Sequence, residues 1–135
     1  MKTQIECVTR ESSAQHAAQK MRVANIGFLP VCDEDGRVLG AVTDRDIAVR
    51  LVAEGRSPST PVREVMTNEV VACRPSDDLH RAEQIMSTQR KSRIVCVDDE
   101  RHLVGVISLS DIAQFEEAER AGRTVKNVTD REALR

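Results

Sequence analysis

The sequence predicts an α/β fold made of two βαββα repeats, whose small sheets pack on each other about a pseudo-twofold axis. The chain of 135 residues aligns with itself without a gap when it is shifted by 65 positions. Each half carries an apolar helical stripe followed by two short segments rich in branched residues. Because neither half alone can bury much apolar surface, the two halves are expected to share one core.

Identical residues recur at the same spacing along the whole alignment. They pair Ala17 with Ala82, Gln19 with Gln84, Met21 with Met86, Gly40 with Gly105 and Asp46-Ile47-Ala48 with Asp111-Ile112-Ala113. A register held over this length indicates a duplicated unit. We therefore predict a first repeat at 1–55, a linker with an initial helical turn at 56–66, a second repeat at 67–119 and a polar C-terminal tail at 120–135.

Each repeat is predicted to run from an amphipathic helix through two strands into a closing helix. Apolar residues at helical spacing, such as Ala17 and Met21, predict the first helix. Strands are predicted at 28–32 and 38–43, and a closing helix from about 44 to 53. The strand copies fall at 93–97 and 103–108, and the copy of the closing helix at about 109–120.

The segment between the two strands of the first repeat predicts a tight turn. Its sequence is Asp33-Glu34-Asp35-Gly36, and glycine adopts positive φ without strain. In the second repeat Arg101 replaces Gly36, so the sequence does not require the two turns to share one conformation.

Composition argues against nucleic acid and membrane partners. The net charge is −2 and the two aromatic residues are both phenylalanine, so neither a cationic surface nor a stacking platform for bases is predicted. No apolar run approaches the roughly 20 residues that cross a bilayer. Met1 to Thr3 lead into no apolar segment, so we expect a cytoplasmic protein without a secretory signal.

The four cysteines, Cys7, Cys32, Cys73 and Cys96, are widely spaced in the chain. Neither a C-x-x-C pair nor a histidine cluster accompanies them, so no metal site is predicted. A reducing cytoplasm also disfavours disulfides. We therefore interpret all four as small buried apolar residues.

The motif with the most chemical content lies at the junction of the second strand and the closing helix. It reads Gly40-Ala41-Val42-Thr43-Asp44-Arg45-Asp46, and its copy runs from Gly105 to Asp111 with Ser108 in place of Thr43. One interpretation is structural: the hydroxyl residue caps the helix while the aspartate reaches back to form a capping box.

The other interpretation is a nucleoside site at the same junction. A helix N-terminus attracts phosphate, a neighbouring hydroxyl can donate to a phosphate oxygen, and an aspartate can accept from two ribose hydroxyls. Glycine inside a strand lets another group approach the backbone closely, which applies to Gly40 and Gly105. Both interpretations can hold together, because a cap can also contact a ligand.

The duplication and the Gly-x-x-(Thr/Ser)-x-x-Asp motif of each half resemble the tandem cystathionine-β-synthase (CBS) domain pair, or Bateman module. Leu29-Pro30-Val31 and Thr43-Asp44-Arg45-Asp46-Ile47 are similar to the first repeat of small prokaryotic members. The resemblance covers about residues 5–118. It implies a regulatory module that binds AMP, ADP, ATP or S-adenosylmethionine between the repeats, as a ligand and not as an obligatory cofactor. It also implies a homodimer.

The resemblance carries site residues over by position. The implied ribose and phosphate contacts are Thr43, Asp46, Ser108 and Asp111, and the implied base-lining residues include Ile26, Pro30 and Ile94. We add Arg45, Lys91 and Arg93 as candidates for phosphate charge, since an acidic protein must concentrate positive charge locally to hold an anion. Val95 stands where Pro30 stands in the first repeat, and Leu109-Ser110 replaces Asp44-Arg45, so the two sites are expected to differ.

Two hypotheses about function follow, and neither is enzymatic, because no nucleophile, base and orienting residue occur together. In the first, the chain senses an adenine nucleotide and acts in trans on a protein target that the sequence does not identify. In the second, it is a ligand-free dimeric scaffold in which the Thr, Ser and Asp residues of the motif only cap helices.

Overall fold

A computed structural model describes residues 6–89 and 93–108 of the protein. These residues fall into two compact units that divide between Val70 and Val71. Both units combine a small β-sheet with helical segments, so the predicted α/β class is confirmed.

The first unit contains one antiparallel hairpin and its flanking helical segments. Its elements are α1 (Ala14–Ala24), β1 (Phe28–Cys32), β2 (Val38–Thr43), α2 (Asp44–Asp46), a π-helix (Ile47–Val52) and a 3₁₀ turn (Val62–Glu64). On the outer side of β1, Val8 pairs with Val31 in parallel, and on the outer side of β2, Ala41 pairs with Thr67 in the antiparallel direction. The hairpin is therefore paired at both edges.

The second unit contains a three-stranded sheet and one helix. Its elements are β3 (Ala72–Cys73), α3 (Leu79–Gln89), β4 (Arg93–Val97) and β5 (Leu103–Ser108), with the strand order β3-β4-β5. β3 runs parallel to β4, and β5 runs antiparallel to it. The helix predicted at 109–120 and the tail predicted at 120–135 lie outside the described residues.

The two units repeat each other residue by residue. A shift of 65 positions carries α1 onto α3, β1 onto β4 and β2 onto β5 with the same bounds. Leu29 pairs with Val42 as Ile94 pairs with Ile107. The strand register slips at the equivalent place in both hairpins, after Val31 and after Cys96. The predicted duplication is thus confirmed at the level of strand register.

Local sequence explains the bounds of α1. The Ser13 side chain accepts a hydrogen bond from the backbone N–H of His16, which caps the N-terminus of the helix. Ala14, Ala17 and Met21 form its buried stripe. Asn25 then adopts the left-handed conformation at φ 55°, and its N–H bonds to the last carbonyls of the helix.

The turns between the strands are alike although the second lacks glycine. Gly36 has φ 87° and Arg101 has φ 69°, so both occupy the left-handed region. In each turn the first aspartate accepts two backbone hydrogen bonds, Asp33 from Asp35 and Arg37, and Asp98 from its counterparts. The same hydrogen bonds therefore occur in both turns, although the left-handed conformation is less favourable for arginine than for glycine.

The segment predicted as a linker packs into the first unit. Val62 N–H donates to the Ser12 carbonyl at 2.7 Å, and Ala14 N–H donates to the Thr60 carbonyl at 2.8 Å. Val62, Val65 and Met66 are buried in the same core cluster as α1 and β1. The predicted helical turn is present as the 3₁₀ turn.

The predicted closing helix of the first repeat is present but changes its hydrogen bonding. After one α-helical turn, residues Ile47–Val52 form a π-helix, in which the Ala53 N–H bonds to the Ala48 carbonyl at 2.9 Å. Apolar spacing indicates a helix but does not distinguish a π-helix from an α-helix. Within the ranges given above, no helix is both long and apolar enough to span a membrane.

The hairpin aspartates should make stability depend on acid pH. The backbone N–H of Arg37 is the largest of the influences that lower the pKa of Asp33, and that of His102 lowers the pKa of Asp98 in the same way. A lowered pKa contributes stability that is complete above about pH 4 and is lost as the pH falls below that value. Asp33→Asn, whose amide oxygen still accepts, should therefore flatten the acid limb of stability measured by circular dichroism.

Asp35→Asn removes a charge from the same turn and is the matched control for that measurement, because the Asp35 carboxylate accepts no hydrogen bond from the turn backbone in any described contact. Equal flattening by both substitutions would mean that net charge, and not the hydrogen bonds of Asp33, sets the acid dependence.

Candidate functional site

The structure gathers several of the predicted site residues of the first repeat at one corner of the first unit. Phe28 at the start of β1 pairs with Thr43 at the end of β2. The Asp44 N–H donates to the Gly27 carbonyl at 3.0 Å. The segment that begins with Ile26 therefore lies beside the N-terminus of α2, where Thr43 and Asp46 stand.

The capping box predicted at this corner is present. The Thr43 hydroxyl oxygen accepts from the Asp46 N–H at 3.1 Å, and the Asp46 carboxylate accepts from the Thr43 N–H at 3.0 Å. Two backbone donors at the start of the helix are satisfied in this way. The structural interpretation of the motif is thus confirmed for the first repeat.

Asp46 is held by a further residue that the sequence analysis missed. Its side chain is 12% exposed, and Oδ1 lies 3.8 Å from the Arg50 Nε. The Arg50 guanidinium also donates to the Met66 carbonyl at 3.0 Å and to the Val65 carbonyl at 3.4 Å. Arg50 therefore connects the corner to the segment after the 3₁₀ turn. The spacing of four residues between Asp46 and Arg50 is the signal that could have revealed this pair.

Another segment of the same chain approaches the backbone of β2 closely at Gly40. A Cβ atom on Gly40 would lie 2.4 Å from the Thr67 carbonyl oxygen and 2.3 Å from the Met66 methyl group. Next to it, Ala41 and Thr67 exchange two backbone hydrogen bonds of 3.0 and 2.8 Å. The close approach expected at Gly40 is thus confirmed, and the approaching groups belong to the same chain.

Gly27 is a second position at which the fold leaves no room for a side chain. A Cβ atom there would lie 2.5 Å from Oδ2 of Asp44. Gly27 and Asp44 are far apart in sequence and meet because the hairpin brings the start of β1 against the start of α2. No local pattern in the sequence distinguishes Gly27, so it was not among the predicted site residues.

The remaining candidates of the first unit differ in their exposure. Pro30 is buried in β1, and its carbonyl accepts from the Val8 N–H at 3.0 Å. Ile26 is partly buried against the core cluster, and Arg45 is exposed beside Asp46. A ligand at this corner would therefore meet Ile26 and Arg45 before it met Pro30.

In the second unit the equivalent corner is described in part. Arg93 pairs with Ser108 across β4 and β5, and Arg93 is exposed while Ser108 is half-buried. Ile94 is 1% exposed and belongs to the core cluster of this unit. Lys91 and Asp111 lie outside the described residues, so their predicted contacts stay predictions.

Metal-binding side chains do not gather in the described ranges. Over residues 6–89 and 93–108, there is no group of three or more His, Cys, Asp and Glu side chains that could hold a metal ion. Cys32, Cys73 and Cys96 are buried, as expected, but Cys7 is half-buried, which corrects the expectation for that residue.

Comparison with known proteins gives one family for both repeats. The sequence profile of the CBS domain matches residues 1–53 and 62–117. The CBS domain-containing protein YhcV of Bacillus subtilis (strain 168) is 39% identical over 130 residues, which are 96% of this chain and 91% of the relative. The similarity extends over both repeats and the segment between them.

Solved structures agree with this match. A putative signal-transduction protein with CBS domains from Burkholderia ambifaria MC40-6 is 31% identical with a TM-score of 0.77, covering 88% of this chain and 87% of that one. The CBS domain pair of protein MJ0100, solved in complex with 5′-methylthioadenosine and S-adenosyl-L-methionine, is 28% identical with a TM-score of 0.72. That match covers 87% of this chain and 93% of the MJ0100 chain.

Substitution of Gly40 by alanine should destabilise the first unit. The new methyl group would overlap the Thr67 carbonyl and the Met66 side chain, and overpacking of this kind costs about 1–3 kcal/mol. Urea unfolding followed by circular dichroism measures the loss. In a double-mutant cycle with Met66→Ala, part of the loss should be recovered while the backbone clash remains. A Gly40→Ala protein of unchanged stability would contradict the close approach.

Removal of the capping hydroxyl should have a smaller effect. Thr43→Ala leaves the Asp46 N–H without its acceptor, and loss of an N-cap costs about 0.5–2 kcal/mol. Thr43→Ser keeps the oxygen and should retain most of the stability, as serine stands at the equivalent position 108. If serine were as destabilising as alanine, the methyl group of Thr43 and not its hydroxyl would be the stabilising part.

Proposed function

The chain belongs to the CBS domain family as a tandem pair of repeats, and from this premise we propose that it is a regulatory module that binds an adenosine-containing ligand. The site is the strand-to-helix corner of a repeat. In the first unit, Thr43 and Asp46 face the ribose and phosphate, Ile26 the base and Arg45 the phosphate charge. Ser108 and Arg93, with Asp111 and Lys91, would act in the second repeat.

The observation that carries the proposal is the combination of groups at the first corner. A hydroxyl and a carboxylate lie together at a helix N-terminus, with a partly buried isoleucine and an exposed arginine beside them. The capping hydrogen bonds use one acceptor site of Thr43 and one oxygen of Asp46, which leaves the Thr43 O–H to donate and lone pairs of Asp46 to accept. The cap fixes both side chains before a ligand arrives, and such preorganisation favours binding.

The MJ0100 complex supports an adenosine moiety as the common element of the ligand. S-adenosylmethionine and methylthioadenosine share the base and the ribose and carry no phosphate. A carboxylate that accepts from ribose hydroxyls suits either compound, whereas Arg45 and Arg93 suit AMP, ADP or ATP, because a guanidinium pairs well with phosphate. The exposure of both arginines favours a phosphorylated ligand for this chain.

We further propose that the module acts as a homodimer and in trans, on a protein that responds to the ligand-bound state. The second candidate function is a ligand-free scaffold. The observation that favours it is the extent to which Asp46 is already engaged, by the Thr43 N–H and by Arg50. In the scaffold hypothesis, the motif occurs in both repeats only because it caps a helix in each.

Ligand binding should raise thermal stability. A ligand that binds the native state at a hundredfold excess over its Kd stabilises it by about 2.7 kcal/mol. We expect AMP, ADP, ATP or S-adenosylmethionine to raise the midpoint of a melting curve followed by circular dichroism. Adenosine tests whether binding requires a phosphate group, and guanosine monophosphate tests whether binding is specific for adenine. No shift with any adenosine compound would favour the scaffold.

Variants separate binding from capping. Asp46→Ala should lower the melting midpoint of the ligand-free protein and should also reduce the rise in midpoint that the ligand causes. Arg45→Ala should reduce that rise for AMP but not for adenosine. Ser13→Ala removes a cap from α1, away from the corner, and is the matched control: it should lower the midpoint without changing the shift. If Asp46→Ala, like Ser13→Ala, left the ligand-induced rise in midpoint unchanged, the role of Asp46 would be capping alone.

A further inference from the structure

Cys7 and Cys32 lie side by side on neighbouring chain segments of the first unit. Between them, Val8 and Val31 form a parallel bridge, in which the Val8 N–H donates to the Pro30 carbonyl at 3.0 Å and the Cys32 N–H donates to the Val8 carbonyl at 2.8 Å. The cysteines flank this bridge on the same face of the paired segments, since side chains alternate along extended backbone. Cys7 is opposite Pro30 in this parallel pairing, so Cys32 is its diagonal neighbour on that face.

The two thiols differ in access and in charge. Cys7 is half-buried, whereas Cys32 is 3% exposed. The Lys20 ammonium donates to the Cys7 carbonyl at 2.9 Å and lies 3.5 Å from the Glu6 carboxylate. The hydrogen bond from Cys32, with a contribution from Lys20, lowers the pKa of Cys7 to about 6 against the opposing effects of burial and Glu6. The same hydrogen bond and burial raise the pKa of Cys32.

The second unit offers a comparison within the same chain. Cys73 and Cys96 are direct partners in the parallel pairing of β3 with β4, but both are buried, at 3% and 0% exposure. The hydrogen bond with Cys96 and burial raise the pKa of Cys73. A thiol must be ionised and accessible to react, so we expect Cys73 and Cys96 to react more slowly than Cys7.

We propose that Cys7 and Cys32 are a reversible thiol–disulfide pair, with Cys7 as the residue that a low-molecular-weight disulfide first modifies. The Cys7 thiolate attacks one sulfur of the small disulfide, forms a mixed disulfide and releases one small thiolate. Cys32 then loses its proton to solvent and attacks the Cys7 sulfur, which releases the second small thiolate. The two cysteines are oxidised by two electrons, and the small disulfide is reduced to two thiols.

The Cys7–Cys32 disulfide would join the segment before α1 to the end of β1, so α1 lies inside the loop that the disulfide closes. The Val8–Val31 pairing already holds these two segments together in the reduced protein. The inference rests on the first unit alone and does not depend on the proposed ligand.

Peptide mapping tests the pairing in the wild-type protein. Trypsin places the four cysteines in four peptides, 3–10, 23–37, 64–81 and 94–101. After treatment of the reduced, folded protein with oxidised glutathione, we expect the protein to lose two of its four thiols and peptides 3–10 and 23–37 to be recovered linked. A link between 64–81 and 94–101 instead, disulfide-linked dimers, or an unchanged thiol count would overturn the proposal.

Variants test the order of the two steps. Cys32→Ser should stop at a stable glutathione adduct on Cys7, and Cys7→Ser should give neither adduct nor bridge. Cys73→Ala is the matched control and should form the Cys7–Cys32 link like the wild type. An adduct that accumulates on Cys32 in the Cys7→Ser protein would contradict the assignment of Cys7 as the attacking thiol.

The alkylation rate supplies a readout that does not depend on substitutions. In the folded protein, Cys7 should react with iodoacetamide many times faster than Cys73 or Cys96, with a half-maximal rate near pH 6. Isotope-coded alkylation of the four peptides measures each cysteine separately. Equal rates for all four, or a rate for Cys7 that rises only above pH 8, would overturn the proposal.

Discussion

The first unit depends on the backbone contact between β2 and the chain that follows the 3₁₀ turn. The missing side chain of Gly40 lets Thr67 pair with Ala41, and this pairing covers the outer edge of β2. It also holds Val65 and Met66 in the core, where their carbonyl groups accept from Arg50. A side chain at position 40 would therefore block the path that this connecting segment takes.

The same contact reaches the candidate site through Arg50. This arginine lies between the carbonyl groups after the 3₁₀ turn and the carboxylate of Asp46, and Asp46 completes the capping box with Thr43. The corner is therefore part of the scaffold as well as a candidate for ligand contacts. If a ligand binds at this corner as proposed, stability and ligand binding depend on the same residues.

The two repeats share the same backbone conformation, but their side chains differ. Strand register, the slip in register and the left-handed residue of the turn recur at equivalent places. The cysteine pairs do not correspond: Cys7 and Cys32 flank the parallel bridge of the first unit, whereas Cys73 and Cys96 are themselves paired in the second. Divergence of this kind leaves Cys7 partly exposed, whereas Cys32, Cys73 and Cys96 are buried.

The sequence by itself determined the duplication, the order of helices and strands, the hairpin turns and the capping box of Thr43 and Asp46. These features rest on periodicity or on contacts between residues three or four positions apart, which a linear pattern displays. The tertiary structure alone decided which group fills the space at Gly40, where Arg50 donates, how the segment predicted as a linker packs and that Cys7 meets Cys32. Those partners are distant in sequence, and only the folded backbone brings them within contact distance.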